Sequence, residues 1–421
     1  MGDNDNMYKW RCFFLIGFFC LFGKGIVFAD SLSKLIQLAH KNNSGLLASH
    51  KWVESENELV FSEGTMEYPM VGVAGLDSNR DGQHASITQN FKSPFKYYLQ
   101  AKSQSSRVRN FNSRLQMERF EVRSQIVSLY FSIYSAQKII QLTEANMQAV
   151  KEFARVAEKK YSAGKSPQSD SMKAHFELTQ LELDLLRLVQ EEEALQENLK
   201  SVINEPLLKR IELANRAIVP PEFHANKITN MQKDLVLSLQ NQSPILIAEK
   251  YALKEAEYRS VLAKWEFAPD FQIQFQQSIS GNSDLKAYSL GLTIPLWFWK
   301  GSAEVSAAAA KRIAQEFMLY DKTQKLTAKV RDLIGKVQTE AKALAIYETS
   351  LIPQAQGAYK SARAAYQASQ TSFLDLLDSE RSLYRVQIGF FQTLKIYVGH
   401  LSELEAKLGL SVSNLEMDSE E

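Results

Sequence analysis

YSAGKSPQSD, residues 161–170, and YQASQTSFLD, residues 366–375, lie 205 positions apart and share a pattern: an aromatic residue, a short polar turn, and an aspartate nine positions on. In both places a long, charged, Ala-rich helical pattern comes before and a Leu-rich helical pattern comes after. Self-similarity at a fixed offset marks a duplicated structural unit. The symmetry continues upstream. Tyr68 and Pro69 open a β-like stretch, and Ala268 and Pro269 open another. Pro94 with Phe95 closes the first hairpin, and Pro295 with Leu296 closes the second. Each half therefore reads helix, hairpin, very long helix, tight turn, helix.

The helices follow from period. Leu178, Leu181, Leu185, Leu188, Leu195, Leu199 and Val202 keep a three-four spacing, broken by Glu192. Phe390, Leu394, Tyr397, Leu401, Leu404 and Leu408 do the same in the second half, as do Leu326, Val330, Leu333, Val337 and Leu344 before its turn. These are coiled-coil seams. The stretches 95–160 and 301–366 would each run on the order of 100 Å at a rise of about 1.5 Å per residue. Pro353 should kink the second of them, because its ring removes a helical hydrogen bond.

The hairpins have period two. Phe271, Ile273 and Phe275 alternate with glutamines, and Tyr288, Leu290, Leu292 and Ile294 alternate with small or polar residues. Ala85, Ile87 and Phe91 alternate with Ser86, Thr88 and Asn90, whereas 70–76 alternates poorly. Polar turns lie at 77–82 and 280–284. Such strands suit either a half-buried soluble sheet or a barrel with a wet lumen. Four strands cannot close a barrel alone, and open edges are not tolerated against lipid, so the barrel reading requires several chains. Trp297, Phe298 and Trp299 follow the last strand, where an aromatic interfacial girdle would fall.

The first 29 residues stand apart. Lys9 and Arg11 precede an apolar run from Cys12 to Phe22, and Val27-Phe28-Ala29 follows Lys24. This is the layout of a secretory signal cut after Ala29. Cleavage removes Lys9, Arg11, Lys24, Asp3 and Asp5, which takes the net charge from +1 to zero. It also removes Cys12 and Cys20, the chain's two cysteines, leaving no disulfide or thiolate chemistry. Charge is dense at 23% but balanced, which argues against a nucleic-acid partner. The six histidines form no helical pair at metal spacing, and no Gly-rich phosphate loop is present. No enzyme, cofactor or metal site is expected.

The ordered set of duplicated helix–hairpin–helix units, Ile294-Pro295-Leu296 before an Ala-rich helix, and the stretch from Phe373 to Tyr384 resembles the TolC-type outer-membrane factors. The resemblance covers about Asp30 to Leu410. It implies a mainly α fold with a small β part. Three chains would share a twelve-stranded transmembrane barrel, above long helices that form a periplasmic α-barrel. It implies a homotrimer in the outer membrane that works with a periplasmic adaptor and an inner-membrane transporter. On this plan 1–29 is the signal and 30–203 the first repeat, with hairpin 69–92 and tip turn 162–169. An equatorial linker occupies 204–230. The second repeat is 231–410, with hairpin 269–296 and tip turn 367–374, and 411–421 is a disordered acidic tail. Asp375 and Asp378 match the aspartates that ring the aperture, and like-charge crowding there would raise their pKa values. Asp170 and Tyr366 match a pair that closes neighbouring coils, and Thr371 stands where an arginine would reinforce it. Gly164, Lys165, Ser369 and Gln370 align with the adaptor-docking tips. Gly164 adopts positive φ freely, whereas Ser369 must bear a steric cost or use another turn. A soluble periplasmic adaptor or coiled-coil scaffold is the competing reading. It accounts for the helical hairpins but not for a duplication of both β-hairpins in the same order.

Overall fold

The computed structural model describes residues 32–74, 83–213, 218–223, 235–279, 286–294 and 296–413. The signal segment, both hairpin turns, Pro295, much of the linker and residues 414–421 lie outside the described residues. The chain opens with α1 (Leu32–Asn42) and α2 (Ser44–Glu63), then β1 (Met70–Ala74) and β2 (His84–Phe91). Next come α3 (Pro94–Ser162) and α4 (Gln168–Ile203). The second half repeats the order with α5 (Leu235–Gln242), α6 (Pro244–Trp265), β3 (Asp270–Ser278) and β4 (Lys286–Thr293). It ends with α7 (Phe298–Ile346), a π turn (Tyr347–Leu351), α8 (Ile352–Gln367) and α9 (Phe373–Leu408).

Helix α3 is 69 residues long, on the order of 100 Å at about 1.5 Å per residue. In its counterpart the α-helix is interrupted just before Pro353, where the expectation placed a kink. The π turn that ends just before it absorbs the missing donor, and Ile352 N–H reaches back to Tyr347 O. The helices form two apolar clusters. The larger holds Ile126, Phe131, Val330, Leu333, Val398 and Leu401 at mid-length. The smaller holds Phe153, Ala157, Ala174, Tyr366, Phe373 and Leu377 near the turns. Among the described residues no helix is long and apolar enough to cross a membrane.

The mid-length cluster is tied to the linker by buried polar groups. Glu192, which breaks the Leu row of α4, is fully buried. It accepts hydrogen bonds from Gln137 Nε2 at 2.7 Å, Gln196 Nε2 at 2.8 Å and Arg210 at 2.8 Å. The same two glutamines pair with the backbone of Ile211 and Leu213. Glu405 does a similar job at the C-terminus. It takes hydrogen bonds from Val412 N and Ser413 N, each at 2.9 Å, and faces Arg123 at 2.8 Å. Residues 411–413 are therefore not part of a free tail. Val412 is buried, and Ser413 pairs with Phe223 as an isolated bridge.

The strands form one antiparallel sheet in the order β1-β2-β3-β4, with the two repeats joined through β2 and β3. Register sorts the side chains by face. Val71, Ile87, Phe275 and Tyr288 line up across the four strands, and Phe91, Phe271 and Leu292 form a second row. Gly72, Ser86, Gln276 and Ala287 form a row on the other face. β1 alternates weakly by itself, yet its pairing puts Val71 and Val73 on the apolar side. That side is bare in the single chain, with Val71 71%, Leu290 72% and Tyr288 79% exposed.

A buried lysine fixes the sheet to the helices. Lys96, 1% exposed in the first turns of α3, meets both Asp270 oxygens at 2.9 and 3.0 Å and Glu266 at 3.3 Å. Ser93 N–H also donates to Asp270 Oδ1. Removing one partner of a fully buried pair costs about 3–5 kcal/mol. Asp270 is 30% exposed, and screening reduces the cost. Lys96→Met is expected to destabilise the chain by roughly 2 kcal/mol, read as a lower guanidinium midpoint followed by circular dichroism in detergent.

Candidate functional site: the helical tips and the strand rim

Both tip turns are Schellman motifs, each closed by the same two hydrogen bonds. At the first, Gly164 N–H bonds Tyr161 O at 2.9 Å and Lys165 N–H bonds Lys160 O at 2.8 Å. At the second, Ser369 N–H bonds Tyr366 O at 3.1 Å and Gln370 N–H bonds Ala365 O at 2.8 Å. The motif demands a left-handed residue, and Gly164 and Ser369 have φ of +68° and +57°. Ser369 therefore takes the strained conformation rather than another turn. Asn204 and Gly409, at the ends of α4 and α9, form a second left-handed pair at the same offset. Gly164, Lys165, Ser369 and Gln370 are all solvent-exposed at the tips.

Asp375 is held within its own helix. It sits at the third position of α9 and completes a capping box with Ser372. Its Oδ2 accepts from Thr371 Oγ1 at 2.7 Å, Ser372 Oγ at 2.7 Å and Ser372 N at 3.2 Å. These bonds, the Thr371 hydroxyl first, hold its carboxyl below the usual range. In the single chain the shift is thus opposite to the rise expected from crowding. Thr371, where the resemblance calls for an arginine, works here as a capping donor. Asp378, one turn on, is 71% exposed and lies 3.8 Å from Arg381.

Asp170 lies in the first turn of α4. Tyr366 is 6% exposed, and its hydroxyl has no hydrogen-bond partner. The two are therefore not hydrogen-bonded within one chain. Burial, and then the Asp170 charge, pushes the Tyr366 phenol up. Lys160 Nζ sits 3.8 Å above the Tyr366 ring centroid and donates to the Tyr366 carbonyl at 3.3 Å. Lys160, Lys165, Asp170, Tyr366, Ser369 and Thr371 line a cleft of about 370 Å³ between the tips.

At the other end, Trp297 precedes the first turn of α7, and Phe298 and Trp299 lie within it. They are 62%, 65% and 59% exposed. The structure adds aromatics that the period of the strands did not reveal. Phe95 and Trp265 meet at a tilt with centroids 4.4 Å apart, and Phe95 stacks on Tyr98 at 5.9 Å. They end the helices that enter and leave the sheet, so position relative to the strands was the available signal.

The family model for outer membrane efflux proteins matches residues 235–409. The cobalt-zinc-cadmium resistance protein CzcC of Cupriavidus metallidurans is 19% identical over 368 residues, 86% of each chain. Crystal structures of CusC match with a TM-score of 0.77 at 16% identity, covering 90% of this chain and 92% of that one. The Campylobacter jejuni CmeC outer membrane channel matches with a TM-score of 0.75 at 14% identity, covering 90% and 86%.

The tip geometry makes a prediction. A Cβ on Gly164 would meet nothing within 4 Å, so its substitution carries only the backbone cost. Ser369→Gly should gain, and Gly164→Ser should lose, about 1 kcal/mol of local stability. Amide hydrogen exchange across 160–166 and 365–371 checks both. The second repeat thus matches the outer membrane efflux protein model, and the chain as a whole has the fold of the solved outer-membrane channels.

Proposed function

We propose that three copies of this chain form a passive exit duct through the outer membrane and periplasm, the channel component of a tripartite efflux or type I secretion system. The observation that carries this is the sheet. Its apolar face crosses from one repeat to the other in the rows Val71–Ile87–Phe275–Tyr288 and Phe91–Phe271–Leu292, interrupted by Gln89 and Gln277, and is largely exposed in the single chain; among the described residues no strand lies beyond β1 or β4. Lipid covers such a face, and only barrel closure between chains satisfies such edges. The exposed Trp297, Phe298 and Trp299 then sit at the rim of the membrane.

On this reading the tips of α3–α4 and α8–α9 form the periplasmic aperture. A periplasmic adaptor docks at Gly164, Lys165, Ser369 and Gln370, and an inner-membrane transporter supplies the energy. Asp378 of three copies rings the opening, with Asp375 beside it at the head of each α9. The likeness to a protein named for cobalt, zinc and cadmium resistance makes divalent cations the first cargo to test.

Fractionation of expressing cells, followed by light scattering of the detergent-extracted protein, tests the duct. An outer-membrane trimer is expected, and a soluble periplasmic monomer would overturn the reading. For the aperture, Asp375→Asn with Asp378→Asn should raise conductance or weaken cation selectivity in planar bilayers. Unchanged conductance and selectivity would remove both residues from the gate.

A further inference from the structure

One pair of buried carboxylates has no part in the duct as described. Glu177 on α4 and Glu380 on α9 are 7% and 6% exposed. They follow, by one helical turn, the tip cluster residues Ala174 and Leu376–Leu377. α4 and α9 both pack on α3 and are bridged to one another here by side chains. Arg381 bonds Glu177, and Lys395 bonds Glu191 farther along at 3.1 Å. Arg381 thus goes to Glu177, and Glu380 Oε2 has no partner. From α3, the neutral side chains of Thr143 and Asn146 are buried in the same stretch. Thr143 bonds Tyr384 of α9 at 2.9 Å, and both polar atoms of Asn146 are without partners. Among the described residues, the charged groups that act on Glu380 are Glu177 from α4 and Arg381 on its own helix.

We propose that Glu177 and Glu380 form a proton-controlled latch that holds α4, α9 and α3 together behind the tip and releases them when Glu380 ionises. A carboxyl can sit here unpaired only while neutral. Its ionisation would place a second negative charge beside Glu177 in a seam where one guanidinium is already engaged. Burial first, then the Glu177 charge, pushes the Glu380 carboxyl up to about 8, against the opposing Arg381. The sign follows. The folded value exceeds the ordinary 4.5, so the latch is whole below about pH 4.5, weakens as pH rises, and is lost by about pH 8. The latch rests on the packing of a single chain. Its consequence, a tip that loosens on alkalinisation, rests on the duct reading.

Hydrogen exchange on the detergent-solubilised full chain tests it, with rates corrected for intrinsic pH dependence. Protection of peptides covering 168–180 and 373–384 should fall at least about tenfold from pH 6.5 to 8.5 and level off above. Peptides covering 126–136 should not change. Glu380→Gln should abolish the pH dependence. Glu177→Gln, which frees Arg381 to face Glu380, should bring the levelling to lower pH. Flat protection in the wild type overturns the proposal, and so does a Glu380→Gln profile that tracks the wild type. If Glu380→Gln fails to fold, the wild-type and Glu177→Gln profiles decide alone. Loss of protection without a rise in bilayer conductance over the same range would leave the latch standing and count against an aperture at the tips.

Discussion

An antiparallel sheet of four strands has two edges, and the arrangement of this molecule follows from where those edges can be satisfied. β2 pairs with β3, so the two repeats share one sheet rather than each closing its own. Among the described residues, no strand lies beside the outer backbone groups of β1 and β4. Water would serve them, but the exposed apolar face beside them makes water the wrong solvent for the sheet. The helices must then leave the sheet at a fixed angle, and the Lys96–Asp270–Glu266 group sits where both repeats pass between strand and helix. Placing that charge cluster at the joint, instead of an apolar contact, gives the joint direction as well as strength, since a charged pair tolerates few geometries.

Most of the architecture was legible because duplication and period are properties of spacing along the chain. Seam residues Leu326, Val330, Leu333 and Val337 are buried as their period requires. What spacing could not show was which interruption of a pattern has a distant partner. Glu192 reads as a fault in an apolar row until Gln137, Gln196 and Arg210 arrive from elsewhere in the sequence. The weak alternation of Met70–Ala74 is resolved only by its pairing with β2. Ser369 reads as a poor fit for a left-handed turn, and the fold imposes that turn anyway, because two hydrogen bonds of the cap depend on it.

The tip residues show the limit more sharply. Resemblance located Asp375, Asp378, Asp170 and Tyr366 along the chain, but not what each does within it. Asp375 is committed to its own helix start, and Tyr366 shares a cleft with Asp170 while its hydroxyl has no hydrogen-bond partner. These are local electrostatic facts, decided by which donors fall within about 3 Å. No pattern of residue types encodes them directly.

The π turn at Tyr347–Leu351 also changes the phase of the helix that contains it. The seam through Val330, Leu333, Val337 and Leu344 would continue, at a period of about 3.5, through roughly positions 351, 355, 358, 362 and 365. The buried residue near the tip is instead Tyr366, one step beyond that row. A π turn inserts one residue into the helical count, and one residue is about 100° of rotation at 3.6 residues per turn. The first repeat has no π turn among its described residues, and its corresponding tyrosine, Tyr161, is 46% exposed. The stretch Phe298–Gln367, built of 49, 5 and 16 residues, is one residue longer than the 69 of α3, and the π turn takes up that extra residue. One short irregularity thus lets two helices of unequal length arrive at the same cap, closed by the same pair of hydrogen bonds.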